Sequence, residues 1–222
     1  MANFFKKEDT LLTPTNCTLL LIDYQPQMLF TVKSIDNETL VNNAIGLAKS
    51  AKVFKVPTIL TSISQKSFNG KIFNPLQKVL SQLPVIDRMT MNAWEDERIV
   101  EAVRKNKHEK LIIAGLWTEV CVAMPTIKAL ESGYTVYVVA DACGGTTKLS
   151  HQMAMQRMIQ AGAIPITWLQ LLMELQRDWS REETCNAVLD IAIKHAGIYG
   201  MGIEYDRENM SALPVDESNF VI

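Results

Sequence analysis

The sequence predicts an α/β fold: a Rossmann-like, doubly wound, mostly parallel six-stranded sheet flanked by helices. Three features lead there. Six short apolar runs recur along the chain. Most of them lack the polar alternation of a half-exposed strand, as parallel strands covered on both faces should. Between them lie stretches whose apolar residues recur at helical spacing. Strand and helix thus alternate, and with right-handed crossovers this order winds into a parallel sheet with helices on both faces.

In chain order, the strands are expected at residues 18–23, 58–63, 85–88, 110–117, 135–140 and 164–168, each rich in branched or aromatic residues. Helices are expected at 38–55, 96–107, 120–132 and 150–161. Pro57 bars continuation of the first, and Gly133 and Gly162 stand where a left-handed cap ends the third and fourth. Helices across 169–196 should pack on one face of the sheet. Beyond Gly197 the pattern is too irregular to define an element, and in an oligomer the tail 197–222 would clasp a neighbour. No repeat and no Pro-, Gly- or Ser-rich linker divides the chain, so residues 1–222 read as a single domain with a core over about 10–196.

Composition narrows the function. The 222 residues carry 22 Lys plus Arg against 24 Asp plus Glu, a formal charge of −2 that creates no field for nucleic acid or anionic lipid. No window approaches the roughly 20 apolar residues of a membrane span, and the start MANFFKKEDT lacks the apolar core of a secretory signal. The four cysteines are scattered and form no CxxC pair, which suits a reducing compartment. A cytoplasmic protein acting on a small molecule is the expectation.

In open parallel sheets the ligand site lies outside the carboxyl ends of the strands. Cys121 follows the apolar run KLIIAGLW and a two-residue turn, and opens the helical segment VCVAMPTIKAL. The positive end of a helix favours thiolate, and its unpaired N–H groups can hold an oxyanion. The alternative is a small buried hydrophobe, the common fate of a free cysteine. Asp23 ends the run CTLLLID and is placed either to exchange a proton with the thiol or to cap the following turn. Arg88 closes PVIDR and is placed to fork Asp23, to hold a substrate oxygen, or to form a purely structural ion pair. Cys143, before Gly144-Gly145, is a weaker rival thiol.

Other chemistries find less support. A Cys-His hydrolase needs a histidine base, but His108 lies in the charged stretch KNKHEK and should be solvated, while His151 and His195 fall on helices in structural roles. The loop SISQKSFNG offers no metal ligands, so no catalytic metal is expected. The turn IDYQPQ matches neither the dinucleotide fingerprint nor the phosphate loop, so no nucleotide cofactor is expected. Trp94, Trp117 and Trp168 either wall a pocket or simply pack.

The set LLIDYQ, Arg88 with NAWEDE, and IIAGLWTEVCV resembles the isochorismatase-like cysteine hydrolases, most closely their YcaC-type branch, over roughly residues 10–179. The resemblance implies a catalytic triad of Asp23, Arg88 and Cys121. It implies a non-proline cis peptide at Leu116-Trp117 and an oxyanion hole from the Trp117 and Cys121 amides. Asn92, Trp94 and Thr118 would lie at the substrate pocket, and the assembly would be a homo-oligomer, an octamer in this branch. Many relatives have Lys where this chain has Arg88, and the metal ligands of the nicotinamidase members are missing here. The implied reaction is hydrolysis of a C–N bond in a small amide or carbamoyl compound through a thioester. The alternative is a thiol-reactive sensor or binding protein on the same fold that turns nothing over.

Overall fold

The computed structural model describes residues 10–209. One sheet of six parallel strands holds the described part together: β1 (Cys17–Ile22), β2 (Thr58–Ile63), β3 (Val85–Arg88), β4 (Lys110–Gly115), β5 (Thr135–Val139) and β6 (Ile164–Ile166). Their spatial order is β3-β2-β1-β4-β5-β6. The winding therefore reverses between β1 and β4, which makes the crevice beyond their carboxyl ends the topological switch point where such sheets bind ligands.

Around the sheet lie α1 (Pro26–Phe30), α2 (Asn37–Val53), α3 (Asn74–Val79), α4 (Glu97–Lys105), α5 (Ala123–Glu131), α6 (Lys148–Gln160), α7 (Trp168–Gln176), α8 (Glu182–His195) and α9 (Ile198–Asn209). α2 packs with α3, α7 and α8, and α5 packs with α6. Asp36, Asp96, Thr147 and Thr167 cap α2, α4, α6 and α7 by accepting a backbone N–H of the first turn. The core sits on the strands: every residue of β1 is buried, as is each of β4 after Lys110.

Two features set the distance between β1 and β4 at the switch point. Ile22 is in register with Gly115. A Cβ on Gly115 would lie 2.3 Å from the Ile22 carbonyl oxygen, so only glycine lets the two backbones approach this closely. Leu116 N–H then donates to the Ile22 carbonyl at 3.0 Å, carrying the pairing one residue past the strand.

The predicted strands match those observed, with ends that differ for local reasons. β1 stops before Asp23 because Asp23 has φ +57, a left-handed conformation that aspartate tolerates and that a strand cannot continue through. β4 stops at Gly115, two residues short of the expectation. Leu116 bridges Gly144 instead, and the Leu116-Trp117 peptide is cis. β6 ends early because Thr167 caps α7. The expected helix 120–132 is in fact two pieces, a π-helical turn at Thr118–Val122 and then α5. α1 and α3 arise in segments where no element was expected, each with a proline in its first turn. The tail is also corrected: its first part is helix α9, seated on α8 through buried Gly200, whereas residues 210–222 lie outside the described part. No described helix is long and apolar enough to cross a membrane.

Candidate active site

Asp23, Arg88 and Cys121 come from three different strand ends and meet at the switch point. Asp23 is the first residue after β1, and its N–H donates to the Thr61 carbonyl of β2 at 3.0 Å. Arg88 is the last residue of β3, in register with Ile63, so its side chain passes across β2 to reach Asp23. Cys121 lies within the π-helical turn that follows β4, a turn closed by Val122 N–H donating to the Trp117 carbonyl at 3.2 Å. The three residues are 0%, 2% and 3% exposed respectively.

The Asp23–Arg88 pair is a two-pronged fork. Arg88 Nη1 donates to Asp23 Oδ1 at 2.5 Å and Nη2 to Oδ2 at 2.7 Å. Nη1 also donates to Thr61 Oγ1 at 3.2 Å, and Nη2 to the Met91 carbonyl at 3.3 Å. This geometry orients the carboxylate and leaves its charge compensated in a dry site. Burial nevertheless dominates and raises Asp23 above the ordinary carboxylate range, while the bonds and charge of Arg88 and the neighbouring Cys121 thiol pull the other way.

The Cys121 thiol lies beside Asp23 and the Trp117 backbone, close enough for both to act on it. Here the structure overturns the expectation of a thiolate favoured by a helix end. Burial first, then the charge of Asp23, pushes the Cys121 thiol up to about 12, and neither Arg88 nor the Trp117 amide reverses this. The thiol therefore rests protonated beside Asp23. The rival Cys143 is buried and also raised to about 12 by desolvation.

The other predicted pocket residues are occupied. Asn92 is buried, accepts from Trp94 N–H at 3.1 Å and donates to Glu95 Oε1 at 3.1 Å, so it caps a turn. Trp94 donates its indole N–H to Ser132 Oγ at 3.1 Å and meets Tyr134 edge-on. That puts its polar end past the far end of α5, on the order of 15 Å along the chain's helical rise from Cys121. Thr118 is fully buried, with Oγ1 2.8 Å from His151 Nδ1 and its N–H on the Gly144 carbonyl. Trp117 is held by its indole N–H to Thr31 Oγ1 and the Met28 carbonyl of α1.

The histidines hold structure together, and one is not where expected. His108 is half-buried with Nδ1 3.1 Å from Thr18 Oγ1, where solvation was expected. His195 lies 2.7 Å from Lys49 Nζ and 2.8 Å from Asn42 Oδ1. No three His, Cys, Asp or Glu side chains among the described residues cluster as metal ligands. Sequence reading missed Thr61 and Met91 as partners of Arg88. It also missed Gln25, whose buried amide accepts from Ile63 N–H and donates to the Ile63 and Gly70 carbonyls, tying down the loop beside the site.

A buried carboxylate, guanidinium and thiol gathered at the switch point of a parallel α/β sheet is an arrangement of the kind found in enzyme sites. Comparison with known proteins names the group. The isochorismatase domain model matches residues 17–170. The probable hydrolase YcaC of Escherichia coli is 38% identical over 172 residues, 77% of this chain and 83% of that protein. Isochorismatase family protein 2A of Dictyostelium discoideum is 31% identical over 65% of this chain and 74% of that protein. The crystal structure of the E. coli YcaC gene product, described as an octameric hydrolase of unknown specificity, superposes with a TM-score of 0.85 at 35% identity, covering 90% of this chain and 98% of that one. YcaC from Pseudomonas aeruginosa, with hexane-2,5-diol and covalent acrylamide, superposes with a TM-score of 0.84 at 35% identity, covering 88% and 96%. The chain belongs to the isochorismatase family and is one of its hydrolases.

Proposed function

We propose that this hydrolase cleaves the C–N bond of a small amide or carbamoyl compound through a thioester on Cys121. One observation carries the reading: the Cys121 thiol lies beside a buried carboxylate that Arg88 holds in a two-pronged fork. With the thiol raised to about 12, sulfur is not a standing thiolate, so proton transfer to Asp23 accompanies its attack on the carbonyl carbon. The Trp117 and Cys121 backbone amides take the developing oxyanion. Asp23 returns the proton to the leaving nitrogen and the amine departs; water deprotonated by Asp23 then attacks the thioester, the C–S bond breaks to release the acid, and Asp23 passes the proton back to the sulfur. Arg88 keeps Asp23 aimed throughout and carries no proton itself.

Two further facts support this. The P. aeruginosa relative bears covalent acrylamide, an electrophile that soft nucleophiles such as thiols attack. A redox sensor needs an accessible thiol of low pKa, which Cys121 is not. By analogy with the octameric E. coli relative, the chain works as a single-domain subunit of a homo-oligomer. The test is a panel of small amides and carbamoyl compounds assayed for amine or ammonia release. Turnover found with the native protein should vanish in Cys121→Ala, and persistence there would overturn the assignment.

A further inference from the structure

We infer that the site takes an uncharged substrate, and that Arg88 is not a clamp for a substrate carboxylate. The inference rests on the proposed role of Cys121. A guanidinium has five N–H donors, four of them on the two terminal nitrogens. In Arg88 all four are engaged: two on the Asp23 oxygens, one on Thr61 Oγ1 and one on the Met91 carbonyl. The fifth, on Nε, is buried without a partner. A carboxylate ligand is held by two parallel N–H bonds, and Arg88 has only one left. Binding an anion there would require Asp23 to release the fork and remain as an uncompensated charge in a dry site.

The surrounding charges act in the same direction. Asp87 lies close enough for its charge to act on Asp23, and Asp96 close enough to act on Arg88. The Asp87 carboxylate accepts only from neutral donors, Ser62 Oγ and the Gln65 N–H, whereas Asp96 pairs with Arg98 at 2.6 Å. Asp87, exposed at the edge of β3, thus adds a negative charge beside the Asp23–Arg88 pair, whereas the charge of Asp96 is matched by Arg98. A neutral amide meets no penalty here, and an anion of the same size is repelled.

Iodoacetamide and iodoacetate test this, since they share one reaction and nearly one shape but differ in charge at pH 7.5. In both, a C–S bond forms as the C–I bond breaks, iodide leaves, and the thiol proton passes to Asp23 and then to solvent. Half-exposed Cys185 in the same molecule is the reference thiol. Labelling is followed at each cysteine by peptide mass. The amide-to-acid rate ratio is expected to be at least tenfold larger at Cys121 than at Cys185. A ratio at Cys121 equal to or below that at Cys185 would overturn the inference while leaving Cys121 as the nucleophile. Labelling of Cys185 by both reagents with none at Cys121 would instead sink the nucleophile assignment, and this inference with it.

Discussion

Replacing Asp23 by Asn removes one charge and almost no volume, and the structure assigns it three consequences. The first concerns stability. Arg88 would keep Thr61 Oγ1, the Met91 carbonyl and one amide oxygen, but its buried charge would lose its counter-ion. Breaking a buried pair from one side costs about 3–5 kcal/mol. The retained amide oxygen favours the low end, about 3 kcal/mol, which for a chain of this size lowers Tm by about 6–12 °C. The second concerns the thiol, which Asp23 helps to hold at about 12. A neighbouring unit charge some 4 Å away at an effective dielectric near 20 is worth up to about 4 kcal/mol, so even a fraction of it gives at least tenfold more thiolate at a given pH. Burial, the larger cause, persists, so the thiol stays above its ordinary value. The third is loss of turnover, because the proton acceptor is gone. Thermal melts, thiolate absorbance near 240 nm between pH 7 and 10 corrected with the Asp23→Asn/Cys121→Ser double variant, and amide turnover read the three separately. A variant that melts with the native protein and shows no added thiolate by pH 10 would refute the contact among these three groups.

Arg88→Lys replaces a two-pronged fork by one ammonium that cannot reach both Asp23 oxygens, Thr61 and Met91 at once; a loss of about 1–3 kcal/mol is expected in urea unfolding, and an unchanged midpoint would contradict the fork. Gly115→Ala puts a carbon 2.3 Å from the Ile22 carbonyl oxygen, so β1 and β4 must part at the site: expect about 3 kcal/mol or more of destabilisation in melts, together with slower Cys121 alkylation. The rate of turnover should fall on the acid side with a midpoint above the ordinary carboxylate range, since Asp23, raised by burial, loses its capacity as base when it takes up a proton; a rate still flat at about pH 4, the ordinary aspartate value, by stopped assay would argue against that role. His195 is lowered to about 4 by desolvation and by Lys49 and Lys194, so between about 6.5 and 4 the unfolded chain binds a proton that the folded one refuses. Stability is then lost as pH falls through that window, by about 1 kcal/mol once solvent screening of this half-exposed group is allowed for, and His195→Gln should flatten the acid slope of the urea midpoint.

Strands and site residues were legible for one reason: in a parallel sheet both follow from where apolar runs stop. The runs ending near Asp23 and Gly115 are buried on both faces, the edge run ending at Arg88 only in part, and each run delivers its last residue or the next one to the carboxyl edge. The family resemblance then selected which of those edge residues to group. What escaped detection depends on tertiary contact. A sequence cannot show that Arg88 engages Thr61 and the Met91 carbonyl, because those partners are a hydroxyl and a backbone oxygen that leave no pattern. Nor can it show that Cys121 sits in a π-helical turn held by Thr118, His151 and Gly144, where burial outweighs the helix end and the thiol stays protonated. The short helices α1 and α3 are below the length at which periodicity registers. α9 was missed because its two glycines lower helix propensity, although Gly200 is what lets it seat against the Ala192 and Ile193 backbone.

The account stands or falls on whether acyl transfer passes through the sulfur of Cys121. p-Nitrophenyl acetate is small and neutral and reports its leaving group directly. Mixed with the native protein and quenched in acid within the first turnover, it should give a burst of p-nitrophenol and one acetyl group per chain. Peptide mass should place that acetyl on Cys121, and it should disappear with time as water cleaves the thioester. Acetylation confined to lysines or to Cys185, or a burst undiminished in Cys121→Ser, would contradict it.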